Sequence, residues 1–96
     1  MIKITKILGY GGSCPFQIDA LTDDNRKIYG RYRGGRVRVY IGKTGDLTDD
    51  AAIHADLYFS NIVGSEFDGY MNLEEFKEET QSVIDWSDTA EIDFYA

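Results

Sequence analysis

The sequence predicts an α+β fold, an antiparallel β-meander of three to five strands packed against one or two helices. Three observations carry that prediction. Segments of period-two alternation flank turn signals at Asp23-Asp24-Asn25 and Gly34-Gly35. A capped amphipathic stretch begins at Asn72. The length of 96 residues, with an apolar share of 43%, suits one ordinary hydrophobic core. Residues 1–96 are therefore read as a single α+β domain, with 85–96 as an acidic tail that includes a candidate last strand.

The first strand runs from Met1 to Leu8, with Ile2, Ile4 and Leu8 on one side and Lys3, Thr5 and Ile7 on the other. Gly9 to Ser13 breaks it, and Pro15 restricts the entry to the next element. A second strand follows, in which Phe16, Ile18 and Ala20 alternate with Gln17, Asp19 and Leu21. Asp23 to Asn25 makes a turn, since Asx side chains bond nearby backbone and Asn tolerates the left-handed region. Arg26 to Arg33 and Arg36 to Ile41 are the third and fourth strands, joined through Gly34-Gly35. Thr48 with Asp49 and Asp50 reads as a helix start, giving a helix from Asp49 to about Tyr58, with an extended Leu57-Tyr58-Phe59 as the alternative. Asn72 and Glu75 form a capping box for a second helix whose apolar face is Leu73, Phe76, Thr80, Val83 and Ile84. In the tail, Glu91 to Tyr95 is the candidate strand.

The net charge of −7 is unevenly distributed. Residues 1–50 hold nine Lys/Arg against six Asp/Glu, a balance of +3; residues 51–96 hold one Lys against eleven Asp/Glu, a balance of −10. The acidic bulk argues against indiscriminate binding to nucleic acid or anionic membrane by the whole molecule. No apolar run approaches the ~20 residues of a spanning helix. The opening residues lack a signal-peptide pattern, and the lone Cys14 excludes an internal disulfide, so a cytoplasmic setting is expected.

A turn at Gly34-Gly35 fixes a register that pairs Arg33 with Arg36, Arg31 with Arg38 and Tyr29 with Tyr40. One face then carries Ile28, Tyr32, Val37, Val39 and Ile41, and the other carries the four arginines bordered by the two tyrosines. Like charges directly opposite disfavour a strand pair by roughly 0.2–1 kcal/mol, so a counter-charge is expected. It would come from Asp19 and the acids of the C-terminal half folded over the sheet, or from an external anion held by Arg31, Arg33, Arg36 and Arg38 with Tyr29 and Tyr40.

Other constellations are weaker. Gly64 to Glu75 has the glycine and glutamate spacing of a calcium loop, but lacks a carboxylate at its first position; a turn at Asp68-Gly69 and the Asn72 cap explain it. Gly9 to Gly12 lacks the lysine of a phosphate loop. Cys14 and His54 are far apart in sequence and supply no catalytic pair. No catalytic residue, metal site or cofactor is expected.

Cys14-Pro15-Phe16-Gln17, Tyr29-Gly30-Arg31-Tyr32-Arg33-Gly34 and the stretch from Phe67 to Phe76 resemble small proteins carried by bacteriophages and mobile elements, which show a Cys-Pro-x-Gln then Tyr-x-Arg-Tyr-Arg arrangement. The resemblance implies a non-enzymatic inhibitor or modulator of a host macromolecule, of anti-defence or nucleic-acid-mimic style. Its contact would be acidic (Glu74, Glu75, Glu78, Glu79, Asp85 and Trp86) and its partner a host protein with a basic surface. The alternative is a module that binds nucleic acid or a small anion through the arginine hairpin. The abundance of aromatic residues is compatible with a symmetric homodimer.

Overall fold

The computed structural model describes residues 1–11, 15–47, 56–64 and 71–89. They form a curled six-stranded sheet and one short helix: β1 (Ile2–Gly11), β2 (Phe16–Thr22), β3 (Lys27–Arg33), β4 (Arg36–Ile41), β5 (Asp56–Ile62), α1 (Leu73–Thr80) and β6 (Ile84–Asp85). The spatial order is β5-β4-β3-β2-β1-β6, antiparallel throughout except for the β1–β6 pair. Among the described residues, no helix is long and apolar enough to cross a membrane.

The meander follows its turn chemistry. Gly34 and Gly35 take φ of 62° and 74°, the left-handed pair that matches the strand twist of a two-residue hairpin. Asn25 takes φ 61° in the β2–β3 turn. There Thr22 Oγ1 accepts from the Arg26 amide at 2.9 Å, and the Asp24 carboxylate pairs with the Arg26 guanidinium at 2.8 Å. That pairing, together with the Thr22 hydroxyl, holds the Asp24 carboxyl below its ordinary pKa.

One face of this sheet is sealed. Phe16, Ile18, Ala20, Ile28, Tyr32, Val37 and Val39 are buried on it, and Phe76 of α1 packs 5.5 Å from Phe16, ring centre to ring centre. Gly30 lies directly beneath the helix. A Cβ there would collide with the Phe76 ring and come within 2.7 Å of Ile18, so glycine is what lets the helix sit this close. The helix begins with the expected capping box: the Glu75 amide donates to Asn72 Oδ1 at 2.8 Å, and the Asn72 amide donates to Glu75 Oε1 at 3.1 Å.

Four sequence expectations need correction. The strand count is six, against the three to five expected. Irregularities in the β1–β2 register at Thr5 and Leu8 shift the alternation of β1, so Ile7 joins Ile2 and Ile4 in the core while Leu8 is 39% exposed. The expected helix ending near Tyr58 gives way there to β5, an extended segment from Asp56; residues 48–55 lie outside the described residues. The second helix stops at Thr80, and Ile84 enters β6, where it pairs with Ile2 of β1. The candidate strand Glu91 to Tyr95 and residues 65–70 of the calcium-loop segment lie outside the described residues, as do Cys14 and His54.

Candidate anion-binding face of the sheet

The other face of β3 and β4 is a ladder with three rungs. Tyr29 pairs with Tyr40, Arg31 with Arg38, and Arg33 with Arg36, as the Gly34-Gly35 turn requires. Alternate residues of a strand stand about 7 Å apart on one face, so three rungs cover a strip of roughly 14 Å. Gln17 of β2 lies opposite Arg31, and Asp19 lies opposite Tyr29. On the far side, Ser60 of β5 lies opposite Arg38 and Ile62 opposite Arg36. Exposure increases along β3 towards the hairpin tip: Lys27 is buried, Tyr29 and Arg31 are half-buried, and Arg33 is exposed.

The two tyrosines form the inner rung. Their ring centres are 6.1 Å apart at an interplanar angle of 29°, a stacked pair. Burial pushes the Tyr29 hydroxyl above its ordinary pKa, against the opposing pull of the Arg31 charge.

One of the counter-charges the sequence suggested is placed elsewhere. The acids of α1 do not fold over the arginines, because α1 lies on the opposite face, anchored by Phe76 above Gly30. The ion pairs Lys3–Asp88, Arg26–Asp24 and Lys77–Glu74 lie away from the hairpin arginines. Arg36 Nη1 donates to Ser60 Oγ at 3.0 Å. Arg31 Nε is buried without a hydrogen-bond partner. A buried donor left unpaired costs about 1–3 kcal/mol, more when charged.

No family model, curated protein or solved structure matches this chain.

Three of the residues expected to make an acidic contact, Glu75, Asp85 and Trp86, also have internal roles. Glu75 is held in the capping box. Asp85 accepts from the Ser87 amide at 2.9 Å and from the Ser87 hydroxyl at 2.6 Å, and the hydroxyl bond leads in holding its carboxyl below the usual range. Trp86 covers the core: its ring meets Phe76 edge-on at 6.3 Å, and its Nε1 donates to Thr80 Oγ1 at 3.1 Å. Lys77 sits 5.8 Å from the centre of the Trp86 ring, over its face. Glu74 and Glu78 remain exposed and Glu79 half-buried. Glu74, Lys77, Glu78 and Trp86 line part of an open cavity of about 370 Å³ beside β6. Among the described residues, no cluster of three or more potential metal ligands occurs.

Sequence reasoning held an extended Leu57-Tyr58-Phe59 only as the alternative to a helix, and did not place β5 beside the arginines. Leu57, Ser60 and Ile62 extend the arginine face, with Leu57 54% and Ile62 64% exposed at its edge. The signal was the run Leu57 to Val63, whose aromatic and β-branched residues suit a strand better than the end of a helix.

Proposed function

We propose that this chain is a non-enzymatic binding module that takes an anionic ligand on the outward face of β3 and β4. The observation that carries the reading is the set of two directly opposed arginine pairs, on the face of the sheet away from the acidic helix. Such pairing disfavours the hairpin unless an anion is bound, and arginine forks match phosphate or carboxylate oxygens two at a time. Asp19 is the one carboxylate on this face among the described residues of β2, β3 and β4, which leaves the face cationic in an acidic chain.

An acidic contact with a basic partner has less support. Glu75, Asp85 and Trp86 already serve the helix cap, a turn and the core.

Calorimetric titration with inorganic polyphosphate at low ionic strength tests the proposal. Saturable binding is expected for the wild type and its loss for the Arg31→Ala/Arg38→Ala double variant. A flat titration of the wild type at about 50 mM salt, where phosphate contacts are still weakly screened, overturns it.

A further inference from the structure

We infer that the anionic ligand is a single-stranded nucleic acid lying along the β3–β4 ladder, with a base against the Tyr29–Tyr40 rung and successive phosphates on the two arginine rungs. This rests on the anion-binding reading above and deepens it. The order of the rungs points to such a ligand. One aromatic rung is followed by two cationic ones along a single axis. A small anion would occupy one arginine rung and leave the tyrosines without a part. A single strand uses all three, because bases stack on aromatic rings while arginines follow the backbone. Gln17, exposed opposite Arg31, adds a donor and acceptor for a base edge, and the exposed Leu57 and Ile62 give an apolar border.

A duplex fits less well. The only helix among the described residues lies on the other face and exposes Glu74, Glu75 and Glu78, so it cannot enter a groove. A second phosphate backbone would also meet the remaining surface of a chain whose net charge is −7. A single strand confined to the ladder avoids that repulsion.

The experiment is a fluorescence-anisotropy titration with a labelled oligonucleotide of about ten nucleotides, within the site sizes seen for sheet-based single-strand binders. Competition with the matching duplex, with polyphosphate and with poly-glutamate completes it. Single-strand binding is expected to weaken with salt at a log–log slope of about −3 for four arginines, falling by about 0.7 for each arginine removed. Tyr29→Leu and Tyr40→Leu should each weaken strand binding between about 5- and 150-fold, the range for loss of one stacked base, and leave polyphosphate binding unchanged. Tyr29→Phe and Tyr40→Phe keep a ring and should bind like the wild type, which separates stacking from a folding defect. Polyphosphate or poly-glutamate binding as tightly as the strand, tyrosine variants without effect, or a preference for duplex overturns the single-strand inference while leaving the anion-binding reading intact. Failure of every anion to bind overturns both.

Discussion

Residues alternating along β3 fall into two populations with opposite chemistry. Ile28, Gly30 and Tyr32 point into the core, where Phe76 of α1 closes over them. Tyr29, Arg31 and Arg33 point the other way, where exposure rises towards the hairpin tip and the arginines face further arginines of β4. The strand is the same, so propensity and turn chemistry cannot account for the difference. The inner row is fixed by close packing, with tolerances so tight that a single methyl at Gly30 would collide. The outer row accepts like-charge opposition and a stranded guanidinium nitrogen, features that lower stability. Those costs are in keeping with the proposed role of this face in holding an anion.

The comparison can be broken most severely from the inside. Phe76→Ala removes the ring that packs on Phe16, Trp86 and Gly30 and should cost about 3–5 kcal/mol. That is a large share of the roughly 5–15 kcal/mol typical of a domain, and chemical denaturation measures it. On the outer row the sign should reverse. Arg38→Gln relieves the opposition to Arg31 and should raise stability by about 0.2–1 kcal/mol in the same assay while weakening anion binding. A loss of stability there would mean that the arginines are internally neutralised after all. The smallest effect concerns Tyr29. Its hydroxyl is raised above the ordinary 10.0 by burial, so its contribution is fully present below pH 10 and is lost as pH rises through the folded-state value. Tyr29→Phe should therefore show a shallower alkaline decline, read as melting temperature against pH.

Legibility in the sequence follows the same division. The hairpin register could be read from Gly34-Gly35, and with it the membership of both faces, because a two-residue turn leaves one pairing open. The Asn72–Glu75 box was equally local. What escaped depends on distant partners. The shifts in β1 arise from its match to β2, and alternation alone placed Ile7 on the wrong side. β6 is two residues long and exists because Ile84 meets Ile2 across the length of the chain, reinforced by Thr89 donating to the Ile4 carbonyl at 2.9 Å. The position of α1 was hinted at by Gly30, a gap in an otherwise bulky inward row. Its meaning emerges only when Phe76 is placed against it.

Separation of the two rows also bears on how such a surface can change. Positions 29, 31, 33, 36, 38 and 40 lie on the face away from α1, so substitutions there can alter the proposed anion recognition without touching the Phe76–Gly30 packing. Combinatorial libraries at these six sites would explore recognition on a constant scaffold, and natural drift could do the same. The glycine under the helix, by holding the interior constant, leaves the opposite side of its own strand free to diversify.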